Sequence, residues 1–167
     1  ISGLSTAVIP NVVSYNGETY TVSSIGSNAF YLCESLTSVT IPTSVINIGS
    51  SAFYQAGLTS VTIPDSITRI CEATFAHCLD LQSVNLPQSV VSIDNSAFYN
   101  CVNLKSFTIP SNLKSLGAFA FVGTGFTSVT LPESLIDIAP YAFQNMGLTS
   151  VTLPPSATSI GEGLFSY

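Results

Sequence analysis

The sequence predicts a repeat solenoid, in which coils of 22 or 23 residues each contribute one main strand to a parallel sheet. One observation is that the stretch from Leu36 to Phe53 returns with edits along the rest of the chain. Two others are an apolar residue before proline and a lone phenylalanine, both recurring at that spacing. The pairs are Ile41-Pro42, Ile63-Pro64, Leu86-Pro87, Ile109-Pro110, Leu131-Pro132 and Leu153-Pro154, and the phenylalanines are Phe30, Phe53, Phe75, Phe98, Phe121, Phe143 and Phe165. A unit of this length cannot bury its apolar face alone and must stack on its neighbours.

Each repeat begins with the pattern Leu-x-x-Val-x-Ile, whose period of two predicts a short main strand. In the first full repeat, Val39 and Ile41 then point inward, and Pro42 ends the strand because it has no N–H to donate. The Val45-x-x-Ile48 pattern predicts a second short strand. For residues 50–54 we predict a single 3₁₀ or helical turn on the other side of the coil.

Two corner designs join one repeat to the next. Wide corners read Cys-x-x-Leu, at Cys33, Cys78 and Cys101, and give repeats of 23 residues, whereas tight corners read Gly-Leu or Gly-Phe, at Gly57, Gly125 and Gly147, and give repeats of 22 residues. We expect the glycines to close the tighter turn with a positive φ, and the cysteines to fill the wider one.

Residues 1–35 are the irregular start of the chain. Asn16-Gly17 between two β-prone segments predicts a two-residue hairpin with Val13 opposite Tyr20. We expect this hairpin to replace the front of the first coil and to cover its open apolar end. The predicted division is a hairpin cap with a partial repeat at 1–35, then six repeats of the same single domain at 36–167, the last one truncated. Because no cap follows the last repeat, we expect the natural protein to be longer.

Composition excludes several classes of partner. Three basic residues against nine acidic ones give a net charge of -6, which leaves no basic stripe to neutralise phosphates, so we predict no nucleic-acid binding. No apolar run approaches the roughly 20 residues that span a bilayer, so we predict no membrane insertion by this segment. Charged residues make up only 7% of the chain, and solubility must therefore rest on hydroxyl groups.

Signals for enzymatic chemistry are weak. His77 is the only histidine, and no carboxylate occupies a repeat position that would orient it. Cys71, His77 and Cys78 lack a recognised spacing for zinc. We therefore predict no enzyme, no metal site and no cofactor. Cys33, Cys78 and Cys101 share one repeat position, where we expect small buried thiols without disulfides, since ladder-equivalent side chains point in parallel.

The repeat Leu-Thr-Ser-Val-Thr-Ile-Pro-x-Ser-Val-x-x-Ile-Gly-x-x-Ala-Phe resembles that of the BspA-type leucine-rich repeat proteins, and the stretch from Gly17 to Gly26 resembles that family's N-terminal segment. The resemblance implies a right-handed leucine-rich-repeat solenoid on the surface of bacteria or protozoa, used for adhesion. Departures are local, with Cys71, Asp94 and Ala139 in place of glycine and Thr74 in place of alanine.

Two columns of side chains are the predicted partner-binding residues. The first lies on the outward side of the main strands, at Thr40, Thr62, Asn85, Thr108, Thr130 and Thr152, and the second is aromatic, at Tyr54, Tyr99, Phe119 and Tyr141. Tyr31 continues the aromatic column but is not one of the predicted binding residues. Hydroxyls also simply solvate an exposed sheet, and rings also pack between coils, so neither column alone proves binding. We predict an adhesion module that binds an extracellular-matrix or cell-surface protein. The alternatives are a structural spacer and an ice- or carbohydrate-binding face.

Overall fold

The computed structural model describes residues 3–166, and in that range the chain is a parallel β-solenoid without helices. Its strands are β1 (Thr6–Val8), β2 (Val12–Tyr15), β3 (Glu18–Thr21), β4 (Ser24–Ile25), β5 (Ser38–Thr40), β6 (Asn47–Ile48), β7 (Ser60–Thr62), β8 (Arg69–Ile70), β9 (Ser83–Asn85), β10 (Ser92–Ile93), β11 (Ser115–Leu116), β12 (Ser128–Thr130), β13 (Asp137–Ile138), β14 (Ser150–Thr152) and β15 (Ser159–Ile160). We number the coils 1 to 7, at residues 4–35, 36–57, 58–80, 81–103, 104–125, 126–147 and 148–166. The predicted solenoid is confirmed.

Main and second strands form where the pattern predicts them. In coil 2, β5 buries Val39 between the exposed Ser38 and Thr40, and the strand ends before Pro42. The second strand β6 buries Ile48, and Val45 is buried just before it. Main strands pair in parallel as β1–β5, β7–β9 and β12–β14, and second strands pair as β4–β6 and as the five-stranded sheet β8, β10, β11, β13, β15.

The third side of each coil is not the predicted 3₁₀ or helical turn. In coil 2 the N–H groups of Ala52, Tyr54 and Ala56 bond three residues back, as in a 3₁₀ helix. The alternate residues Ser51 and Gln55, however, have φ of 55° and 53°, outside any right-handed helix. Their N–H groups point along the solenoid and bond the next coil. We call this side, residues 50–56 and its equivalents, the turn segment.

The N-terminal hairpin differs from the prediction in its role. β2 and β3 pair antiparallel with Val13 opposite Tyr20, as predicted. The front of coil 1 is nevertheless β1, which pairs in parallel with β5, and every residue of the hairpin strands is exposed. The hairpin therefore neither replaces the first main strand nor covers the apolar end, because residues before it already complete the coil. The division of the chain at residue 35 stays a prediction.

The phenylalanine ladder forms the middle of the core. Adjacent rings stack nearly parallel from Phe30 to Phe165, with centroids 5.2–5.9 Å apart. Rings in coils 2 to 6 are at most 1% exposed, whereas Phe165 in coil 7 is 37% exposed. Stacking of identical coils is therefore what buries each coil.

Coil 5 is the exception in the main sheet, because residues 105–109 form no strand. Phe107 stands where coils 2–4, 6 and 7 have valine, and Phe126 stands where the other coils have leucine. Their rings meet Phe98 and Phe121 edge-on at 4.8–5.5 Å, which makes a four-ring cluster with Phe107 and Phe126 6.1 Å apart. Aromatic packing here replaces the hydrogen bonds of the sheet.

Candidate functional surfaces

The hydroxyl face is the outward side of the main strands. Its six column residues, Thr40, Thr62, Asn85, Thr108, Thr130 and Thr152, are all exposed. Strand pairing aligns Thr62 with Asn85 and Thr130 with Thr152, and it places Val8 beside Thr40 at the front of the column. None of these side chains is charged, so the face offers hydrogen bonds and small apolar groups to a partner.

Two shallow grooves run over the hydroxyl face. The first, of about 460 Å³, crosses coils 2 and 3 between Thr40 and Thr62. The second, of about 600 Å³, crosses coils 5 to 7 and includes Phe107, Thr108, Thr130 and Thr152. Sequence reasoning found the column but not the grooves, because each groove includes a place where neighbouring main strands are not paired, between β5 and β7 or around coil 5, and the repeat pattern does not encode this.

The aromatic column is interrupted in coil 3, where His77 takes the place of a tyrosine ring. Tyr31 stacks on Tyr54 at 4.8 Å, and His77 then lies between Tyr54 and Tyr99 at 5.2 and 5.3 Å. His77 Nδ1 lies 3.3 Å from Asn100 Nδ2 and, in the Nε2–H tautomer, accepts its hydrogen bond. Coil 3 has Ala76 where coils 1, 2 and 4 have tyrosine, and the His77 ring fills that space.

A separate aromatic pair follows in coils 5 and 6. Phe119 stacks on Tyr141 at 5.2 Å, and the Tyr141 ring covers Gly163, where a side chain would collide with it. The predicted partner-binding residues therefore divide between two surfaces, because the threonines lie on the main strands and the aromatic residues on the turn segment. The pairs Tyr31–Tyr54 and Phe119–Tyr141 stack face to face, which leaves mainly their edges for a partner, whereas the His77 ring is tilted by 53–54° against its two neighbours.

A polar corner lies beside the second strands, where the residues that replace glycine meet. Arg69 Nε donates a 2.6 Å hydrogen bond to Asp94 Oδ2, and this pairing raises the pKa of Arg69. Burial, followed by the nearby Asp94 charge, raises the pKa of Cys71. A raised pKa makes this thiol a poorer nucleophile at neutral pH, so the corner lacks the activated group that covalent catalysis needs.

The thiols at the wide corners are free, and they fill space as predicted. Cys78 and Cys101 are fully buried, and each Sγ donates to a carbonyl of the preceding coil, Phe53 O at 3.0 Å and Phe75 O at 3.1 Å. Burial raises the pKa of Cys78 to about 12 and also raises that of Cys101. Cys33, beside the exposed end of coil 1, is half-buried.

The glycines at the tight corners do not have the positive φ that we expected. Gly57 and Gly125 are needed for space, because a Cβ on Gly57 would collide with Glu34 O and one on Gly125 would lie 2.5 Å from Val102 O. Both contacts come from a preceding wide corner. Gly147 follows a tight corner, and a Cβ there would meet nothing within 4 Å.

Within residues 3–166, no three His, Cys, Asp or Glu side chains are grouped to hold a metal ion. In the same range there is no helix long and apolar enough to cross a membrane.

A parallel solenoid with a main strand in six of its seven described coils and a ladder of stacked phenylalanines has the architecture of a leucine-rich repeat protein. The chain belongs to the BspA type leucine-rich repeat family, whose model matches residues 14–124 and 91–167 with six copies. No curated protein matches the chain.

Solved structures show the same architecture. A leucine-rich repeat protein from Bacteroides ovatus is 28% identical over 96% of this chain and 54% of its own, with a TM-score of 0.72. The T. pallidum Leucine Rich Repeat protein is 29% identical over 96% of this chain and 75% of its own, with a TM-score of 0.86. A leucine rich cell surface protein from Faecalibacterium prausnitzii, at 24% identity, 96% and 66% coverage and a TM-score of 0.57, shares the fold alone. The chain spans about half the length of the Bacteroides ovatus protein.

Proposed function

We propose that the chain is a non-enzymatic adhesion module of a cell surface, which binds an extracellular-matrix or cell-surface protein through its hydroxyl face. The observation that carries the proposal is the exposed, uncharged column from Thr40 to Thr152. It runs through six coils, and its residues line two grooves. Family membership supports a surface location, and the resemblance stated above supports adhesion.

The form of the face favours a protein partner over an ice lattice. An ice-binding array needs regular spacing, and here Asn85 interrupts the threonines while coil 5 loses its strand. A protein can adapt to such irregularity, because each of its side chains makes its own contact. A single hydrogen bond adds only about 0.5–1.5 kcal/mol, so affinity should grow with the number of coils engaged.

Binding of the purified chain to a panel of immobilised matrix and cell-surface proteins tests the proposal. Substituting Thr62→Asp, Asn85→Asp and Thr108→Asp together should abolish binding, since three charges would have to be desolvated within the contact. Thr108→Ala alone should weaken binding only a few-fold.

A matched variant keeps the charge but changes the side of the coil. This variant carries Thr68→Asp, Val91→Asp and Ile136→Asp, at three exposed positions beside the second strands. It should leave binding unchanged. Equal loss in both triple variants would point to net charge or to the wrong face. Binding to no protein of the panel would favour the structural-spacer alternative.

A further inference from the structure

The junction between coils 2 and 3 is unlike every other junction on the second-strand side. At the other five, backbone N–H groups just outside the strands bond the preceding coil, as Val91 N does to Thr68 O at 2.8 Å and Asp94 N to Ile70 O at 2.9 Å. The equivalent donors in coil 3 are Thr68 N and Cys71 N, and neither has a backbone acceptor. β6 and β8 are accordingly not paired with each other, and neither are the main strands β5 and β7, although each of these strands pairs with the coil on its other side.

The turn segment holds this junction closed on its third side. Ser51, Phe53 and Gln55 donate their N–H groups to Glu72 O, Thr74 O and Ala76 O at 2.8–2.9 Å. Phe53 and Phe75 stack at 5.5 Å behind them. Of the main-strand contacts, Thr59 N to Thr37 O at 3.1 Å remains. Beside the second strands, a bond from the Ser66 hydroxyl to Val45 O at 2.5 Å remains, so coils 2 and 3 are joined mainly along the turn segment.

A step in coil length coincides with this junction. A tight coil follows a wide one at coils 2 and 5, and glycine accommodates the step. Only between coils 2 and 3 does a 23-residue coil follow a 22-residue one. Residues 58–75 follow residues 36–53 at a constant offset of 22, so the extra residue of coil 3 lies in its wide corner at 76–80, beside the tight corner of coil 2. The side chain of Cys71, which replaces the glycine of the repeat, does not by itself explain the lost bonds. Asp94 and Ala139 also replace that glycine, and their N–H groups keep their bonds at 2.9 and 2.8 Å.

Other irregular junctions have a replacement for what they lose. Around coil 5 the main strands are unpaired, but the ring cluster of Phe98, Phe107, Phe121 and Phe126 fills the space and the second sheet continues. At coils 2 and 3 no such cluster compensates among the described residues.

The geometry points to a joint between coils 2 and 3, at which coils 1–2 swing as one body against coils 3–7 about the turn segment. The step in coil length sets this joint. Motion there changes the groove between Thr40 and Thr62, since that groove crosses both bodies.

Amide exchange followed residue by residue by NMR tests the joint. In the wild-type chain, Thr68 and Cys71 should exchange at least about 100-fold faster than Val91 and Asp94, which hold the matching hydrogen bonds. Widening coil 2, by Ala56→Cys, Gly57→Glu and one serine inserted after position 57 to copy the corner at 33–35, removes the step in length. Thr68 and Cys71 should then become as protected as Val91 and Asp94.

A second variant keeps the proposal testable if the widened chain fails to fold. Cys78→Ala and Leu79→Gly with Asp80 deleted make coil 3 tight, so the step moves to coils 3 and 4. Fast exchange should then move to Val91 and Asp94. Slow exchange of Thr68 and Cys71 in the wild-type chain would overturn the assignment. So would protection that returns in Cys71→Gly but in neither length variant.

Spin labels measure the swing itself. Labels at Asn47 and Arg69, outward on β6 and β8, should give a broad distance distribution. Labels at Ser92 and Ser115, on the paired strands β10 and β11, should give a narrow one. Equally narrow distributions for the two pairs would show that the junction is rigid.

Discussion

The phenylalanine ladder and the corner next to it both recur in every coil, yet they depend on their neighbours in different ways. Each ladder ring makes the same kind of stack, but Phe98 stacks on two neighbours and meets Phe107 edge-on, whereas Phe165 stacks on one neighbour. The corner changes with the coil before it, since Gly57 lies against a wide corner and Gly147 does not. The ladder thus depends on position in the array, whereas the corner depends on the order of coil lengths.

The largest expected effect breaks the ladder in the middle. Phe98→Ala should lower the free energy of unfolding by roughly 3–5 kcal/mol, because it opens a cavity against rings 5.5 Å away on both sides. Phe165→Ala should cost clearly less, because that ring is 37% exposed and has one ladder neighbour. Denaturant unfolding of the two variants measures the difference. Equal losses would contradict the dependence on stacked neighbours.

The second effect separates the two tight corners. Gly57→Ala should cost about 2–3 kcal/mol, because the new Cβ would collide with the Glu34 carbonyl and force the two coils apart. Gly147→Ala is the matched control and should change stability by less than about 0.5 kcal/mol, since the space around it is open. Thermal unfolding compares the pair. A similar cost at both positions would mean that glycine is needed for its own conformation and not for the wide corner before it.

The repeat pattern correctly predicted the features that depend on the sequence of one coil. It failed for the features that depend on contacts between neighbouring coils. Val39, Ile48 and Phe53 take the predicted inward positions because their period alone fixes the face. Three predictions were wrong: the role of the hairpin, the helical turn at 50–54 and the positive φ of Gly57. Each depends on contacts along the solenoid, such as β1 on β5 or Ser51 N on Glu72 O, which one repeat does not contain. For the surface, the columns followed from the sequence, whereas the two grooves and the place of His77 needed the stacked coils.

The wide corners carry a third effect, which appears at high pH. Burial raises the pKa of Cys78 to about 12 and raises that of Cys101. Above about pH 9 the unfolded chain releases these protons while the folded chain keeps them, so stability falls as pH rises from about 9 towards 12. The loss between pH 9 and pH 10 should be about 1–2 kcal/mol. Cys78→Ala with Cys101→Ala should flatten this decline, and an unchanged slope in that variant would assign it to other groups.

The smallest effect concerns the turn segment, which links the phenylalanine ladder to the corner. In each coil it repeats a left-handed backbone conformation that most residues disfavour. Ala73 has a φ of 52°, and at this angle its Cβ crowds the following carbonyl oxygen. Ala118 in coil 5 is also half-buried but does not have a positive φ, so it serves as the control. Ala73→Gly should therefore stabilise the chain by about 0.5–1 kcal/mol, because glycine takes this conformation freely and the relief exceeds its entropic cost. Ala118→Gly should destabilise by a similar amount, since there only the entropic cost remains. Chemical denaturation at one pH measures both changes in a single series. Two changes of the same sign would show that the left-handed positions of the turn segment are not strained, and that the N–H bonds they direct to the next coil form without cost.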